Sequence, residues 1–329
     1  MIKTGKSLAL TALTALTALT ALTALTALML TGAASAMAEV PASCQTVRFT
    51  DPGWTDINST NALTAEVLQG LGYKTKITTL AVPIGFEALN NGEIDIFLGN
   101  WMPAQQKFID KYVTEGNVEQ VRTNLEGAKF TLAVPEYAYN AGVKDFADLA
   151  KFADEFDSNI YGIEPGAPAN QLLQNMVDSN DFGLGDWTVV ESGEQGVVAQ
   201  VKRMVRRDKY IVFLGWEPHP MNTTFKMKYL SGGDKYFGPN YGGATIHTLT
   251  RDGYSNQCKN VGKLLDNLEF SLTMENTVMG YIMDDGMKPA DAARKYLQAN
   301  PQVMDAWLEG VTTVKGKEGK GAVYQYLEL

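Results

Sequence analysis

Histidine and cysteine are scarce in this chain, two of each in 329 residues, and that scarcity removes most catalytic and metal chemistry at the outset. His219 and His247 stand far apart, with no Cys or His partner at metal-ligand spacing. The sequence holds no G-x-S-x-G, no H-E-x-x-H, no Walker loop and no G-x-G-x-x-G. The segment Glu217-Pro218-His219-Pro220 brings an acid near an imidazole, but its prolines read as a rigid loop rather than an acid–base pair. No catalytic residue, metal site or cofactor is therefore assigned. Basic residues are also in deficit, 28 Lys and Arg against 37 Asp and Glu, a net charge of −9. Nucleic-acid binding needs a basic face, so that partner is excluded. The acidic surplus suits capture of a cation, although most of it is simply a solvated surface.

The first residues read as a targeting segment. Lys3 and Lys6 precede an apolar stretch built on repeated Ala-Leu-Thr, and Ala36-Met37-Ala38 offers a small-residue cleavage site before Glu39. This is the form of a secretory signal peptide over residues 1–38. An uncleaved membrane anchor is the rival, since the apolar stretch is long; the cleavage site favours removal. No cysteine follows closely enough for lipoprotein attachment, so the expectation is a protein free in a Gram-negative periplasm, with no membrane insertion after cleavage. In that oxidising compartment the isolated pair Cys44 and Cys258 most simply forms one disulfide, with a reactive thiol as the weaker reading. Such a bond would place the N-terminal and C-terminal parts in one domain.

From Val47 onward strand and helix alternate. Val47 to Thr50 reads as a strand, a helix capped at Asn58-Ser59-Thr60 runs to Leu71, and Gly72 stops it. Lys74 to Leu80 and Ile94 to Leu98 read as strands around a short helix, Phe86 to Asn91. A second set follows, with strands at 130–134, 160–163, 187–190 and 210–214 and helices at 145–156, 168–178 and 194–205. Thr245 to Leu249 resembles a returning strand, and residues 260–310 are nearly all helical, with Pro289 and Pro301 at helix starts. The fold class is α/β, two doubly wound lobes. With the cysteines joined, lobe I takes 39–129 plus 243–329 and lobe II takes 130–242, a clamp with a two-crossing hinge and a ligand cleft between.

Three of the five tryptophans share a setting. Trp54, Trp101 and Trp216 each follow a glycine-bearing stretch at the carboxyl end of an apolar run, the sheet edge at which open α/β folds bind ligands. Phe97-Leu98-Gly99-Asn100-Trp101 and Phe213-Leu214-Gly215-Trp216 have near-identical lead-ins. Any one such tryptophan is more often packing; three in equivalent places favour a shared pocket. Trp187 and Trp307 lack the setting and read as packing. Indole faces bind methylated ammonium groups, which donate no conventional N–H hydrogen bond. Asp56, two residues after Trp54, supplies a carboxylate from the same loop, though alone it would as often be a helix N-terminal charge. Glu217 reads as structural.

These motifs, with Gly53-Trp54-Thr55-Asp56, Tyr161-Gly162-Ile163-Glu164-Pro165-Gly166, Gly215-Trp216-Glu217-Pro218-His219-Pro220-Met221-Asn222 and Phe237-Gly238-Pro239-Asn240-Tyr241-Gly242-Gly243-Ala244, resemble the choline-binding periplasmic proteins of ABC importers, OpuAC-like substrate-binding proteins. The similarity runs from about Cys44 to near Leu308. It implies a periplasmic-binding-protein type II, cluster F-like fold, a monomer closing on a quaternary ammonium compound and delivering it to an ABC permease. It implies an aromatic box in which Trp54, Trp101 and Trp216 hold the tryptophan positions and Asp56 the acidic one; Cys44 and Cys258 resemble the family's disulfide. Two positions depart: Phe130 stands where the fourth wall is a tyrosine, and Ala167 where an asparagine binds the choline hydroxyl, with Asn170 as a candidate substitute. Choline is the first ligand; glycine betaine, carnitine and trimethylamine N-oxide are alternatives. A periplasmic enzyme acting on a small amine is the alternative from another class.

Overall fold

The computed structural model describes residues 40–329, so the leader expected over residues 1–38 lies outside the described residues. Two lobes share one nine-stranded mixed sheet, in the order β2-β1-β3-β9-β4-β7-β5-β6 with β8 paired to β4. β1 (Thr46–Asp51), β2 (Lys74–Thr79) and β3 (Ile96–Met102) run parallel, joined by α1 (Thr55–Gly70) and α2 (Val82–Asn90). The same right-handed logic builds the other half: β5 (Asn159–Tyr161), β6 (Thr188–Val190) and β7 (Val212–Glu217) are parallel, with α3 (Pro168–Asp178) and α4 (Glu194–Val205) as crossovers. β3 and β7 are largely apolar and almost wholly buried, as strands covered on both faces must be.

β4 (Val118–Pro135) and β9 (Gly243–Arg251) tie the halves together. The first part of β4 pairs antiparallel with β9, from Val118↔Arg251 to Lys129↔Gly243; the next part pairs with β7, from Lys129↔Glu217 to Ala133↔Phe213. β8 (Met227–Tyr229) completes the sheet against Ala133 to Pro135. Residues 118–129 carried no strand expectation, and the reason is physical. The β4–β9 ladder shifts register three times, so its burial does not alternate with period two.

Other boundaries move for local reasons. α1 begins at Thr55, directly after Trp54, so Asn58, Ser59 and Thr60 lie inside the helix and are not its caps. The expected helix at 145–156 is a 3-10 helix, Phe146–Phe152, behind an Asp145 capping box. Phe146 and Leu149 are both fully buried, and i, i+3 residues eclipse on 3-10 geometry. The C-terminal region folds as α5 (Lys259–Asn267), α6 (Leu272–Met283), α7 (Pro289–Ala299) and, beyond the expected helical region, α8 (Gly319–Tyr326), with α6, α7 and α8 packed on α1. Cys44 and Cys258 form a disulfide with Cα atoms 5.5 Å apart, tying the start of β1 to the segment before α5. Trp187 packs on Phe156 and Trp307 on Phe270, both in the core. No described helix is long and apolar enough to cross a membrane.

Candidate functional site

One tight turn and the carboxyl ends of two strands bring the site together. After β1, Asp51 Oδ1 accepts the Gly53 N–H at 2.7 Å, and Gly53 takes φ +93°, a conformation open to glycine. That turn leaves Trp54 as the N-cap of α1 and sets Asp56 in its first turn. In β3, a Cβ on Gly99 would lie 2.7 Å from Ile57 Cδ1, so only glycine lets the strand approach α1 so closely. The approach lets Trp101 Nε1–H donate to Asp56 Oδ2 at 2.9 Å. Trp101 and Trp216 stand inside β3 and β7 rather than past them, because antiparallel pairing continues to β9 and β4. Trp216 is the direct cross-strand partner of Phe130, so both rings share one face.

Trp54, Trp101, Phe130 and Trp216 line one pocket with Asp56, and Ala104, Ile163, Pro168 and Ala169 complete its apolar wall. Trp101 and Phe130 lie 6.2 Å apart at 59°. Phe237 backs Phe130 edge-on at 5.7 Å, and His219 meets Trp216 edge-on at 4.8 Å. Two groups that the sequence reading did not single out, Gln105 and Glu194, also line the space. Gln105 accepts from Asn100 Nδ2 and donates to the Gly99 carbonyl, so its amide is fixed. Glu194 opens α4, which follows β6; its signal was the same sheet-edge position that marked the tryptophans. Glu164, just past β5, accepts from Trp54 Nε1–H at 2.9 Å and fixes that indole.

Ala167 and Asn170 are not among the pocket residues, in contrast to the expectation placed on them. Ala167 is the buried N-cap of α3. The Asn170 amide is consumed locally: Oδ1 accepts the Ile163 N–H, and Nδ2 donates to the Ile163 and Glu164 carbonyls and to Glu191. It braces the β5–α3 loop.

The electrostatics are one-sided. Burial, and after it the charge of Glu194, pushes Asp56 up to about 8. Its Oδ1 is buried without a hydrogen-bond partner. Burial raises Glu164 and carries Asp51 up to about 6, and Glu275 on α6 is raised well above the carboxylate range by burial and by Asp56. Among the described residues lining the pocket none is Lys, Arg or His. Four ring systems, apolar walls and an unsatisfied carboxylate oxygen suit a cation that carries no N–H donor. The described residues also hold no cluster of His, Cys, Asp and Glu able to bind a metal ion.

Residues 45–299 match the family described as the substrate binding domain of ABC-type glycine betaine transport systems. An ABC-transporter choline binding protein, solved in complex with choline, is 53% identical, with TM-score 0.86 over 87% of this chain and 99% of that one. Lactococcal OpuAC, closed on glycine betaine, is 26% identical, with TM-score 0.72 over 80% of this chain and 98% of that one. The glycine betaine/carnitine transport binding protein GbuC of Listeria monocytogenes is 28% identical over 167 residues, 51% of this chain and 54% of that protein.

Proposed function

The chain belongs to the family of substrate-binding domains of ABC-type glycine betaine transport systems, and from that premise we propose that it captures choline in the aromatic pocket and hands it to an ABC permease. The unpartnered Asp56 Oδ1, buried among indole faces with no basic side chain beside it, carries this reading. A desolvated cation–π contact contributes about 2 kcal/mol. Three or four of them would supply most of the roughly 8 kcal/mol that micromolar affinity requires. Sodium or lysine would find the same carboxylate, but the rings favour the methylated cation.

Lobe I takes residues 39–129 plus 243–329 and lobe II residues 130–242, so Trp54, Asp56 and Trp101 come from one lobe and Phe130 and Trp216 from the other. Closure of β4 and β9 about their shared ladder assembles the box. The hydrogen bonds Trp54–Glu164 and Thr55–Glu194 then span the cleft. The protein acts as a monomer in the periplasm after loss of its leader, and it performs no chemistry on the ligand.

Glycine betaine is the second reading, since it names the family and since Ala167 lacks an asparagine's hydrogen bond. Its carboxylate, however, would enter a lining that holds two acidic side chains and no base. Calorimetric titration with choline, glycine betaine, carnitine, trimethylamine N-oxide and acetylcholine tests the proposal. Tightest binding of choline at one site, with the ligand recovered unchanged, supports it. Tighter binding of a carboxylate-bearing ligand, or formation of product, overturns it.

A further inference from the structure

We propose that Glu194 is the residue that selects an alcohol over a carboxylate at the far end of the ligand, an inference that rests on the function given above. The side chain is 4% exposed and lines the pocket. Oε2 accepts two hydrogen bonds from Thr55, from N–H at 3.1 Å and from Oγ–H at 2.6 Å. Oε1 lies 3.0 Å from His219 Nε2. The direction of that bond follows from the other ring nitrogen. His219 Nδ1 is 2.9 Å from the Met221 N–H and must accept it, which leaves the imidazole proton on Nε2 and aimed at Glu194.

All three partners of Glu194 are thus donors, the set that carboxylate oxygens accept. Oε2 is saturated, whereas Oε1 has one partner and retains an acceptor site. The group is also rigid, gripped by the first residue of α1 on one side and by the Glu217–Met221 turn on the other.

A fixed, buried acceptor of this kind receives a ligand hydroxyl and rejects a ligand carboxylate, because two desolvated anions would face each other. Ala167 has no polar side-chain atom and the Asn170 amide is already consumed, so neither offers the ligand a hydrogen bond. Asp56 answers the cationic head, and Glu194 the hydroxyl. Its bonds to Thr55 also join the two lobes, so the residue that tests the ligand is one that holds the closed arrangement.

The test is the ratio of choline to glycine betaine affinity, by calorimetry on the exported protein, for wild type, E194Q and E194D. E194Q keeps the size and removes the charge, and it should lower the choline-to-betaine ratio at least tenfold. E194D keeps the charge and should retain most of the wild-type preference. Far-UV circular dichroism and a thermal melt establish that each variant folds, and damage to the fold alone would weaken both ligands alike. An E194Q ratio equal to wild type overturns the inference and leaves choline binding standing, as does an E194D ratio displaced as far as that of E194Q. A wild-type protein that binds no quaternary ammonium compound refutes the function itself, and the inference with it.

Discussion

Asp56→Asn is the most informative single perturbation, because it removes the charge while keeping the shape and the Trp101 hydrogen bond. A quaternary nitrogen about 5 Å from a carboxylate, at an effective dielectric near 20, gains about 3 kcal/mol. Above pH 8, where the carboxyl is ionised, the substitution should therefore weaken choline binding by roughly a hundredfold. The wild-type protein should show the same interaction as a proton linkage. Burial and the Glu194 charge raise Asp56 to about 8, so at pH 7 the unliganded carboxyl is mostly protonated. A cation beside it restores the anion, and binding should release close to one proton at pH 7. Affinity should climb with pH up to about 8 by as much as tenfold per unit, then level. The sign for stability is opposite: a carboxyl raised in the folded state stabilises fully at low pH, and that contribution is lost as pH rises through about 8. Choline should accordingly raise the melting temperature more at pH 8 than at pH 6. Titrations in two buffers of different ionisation enthalpy count the proton. PH-independent affinity between 6 and 9 with no proton released would refute the reasoning.

The cage and the covalent tie give further expectations. Trp54→Ala and Trp216→Ala should each weaken choline binding by about 1 kcal/mol or more, fivefold at least, in calorimetry; two unchanged affinities would exclude a cage. Cys44→Ser with Cys258→Ser should lower unfolding stability by about 2–5 kcal/mol in denaturant titration, since the bond closes a sequence separation of 214 residues. Mass spectrometry of the exported protein should find that pair without free thiols.

The legible parts of this fold were those with one strong local signal. Buried strands such as β3 and β7 are short apolar runs, and Gly72, at φ +91°, ends α1 where a left-handed residue is needed. The first part of β4 was illegible because its register shifts break the alternation that marks a strand. The tryptophans could be grouped from sequence because two share a lead-in and all share a sheet edge. Glu194 shares that edge, but its role depends on Thr55 and His219, more than a hundred residues away on one side and 25 on the other. Asn170 illustrates the converse: a residue type suited to a ligand is drawn into bracing the loop it sits on. The glycines before Trp101 and Trp54 gained a cause only in three dimensions, Gly99 by its approach to Ile57 and Gly53 by its turn.

A crystal structure of the protein with choline tests the central claim most directly. The trimethylammonium nitrogen should lie within about 6 Å of the ring centroids of Trp54, Trp101, Phe130 and Trp216, with Asp56 as the nearest anion. Choline bound elsewhere, or in this pocket with its hydroxyl end among the rings, would contradict it.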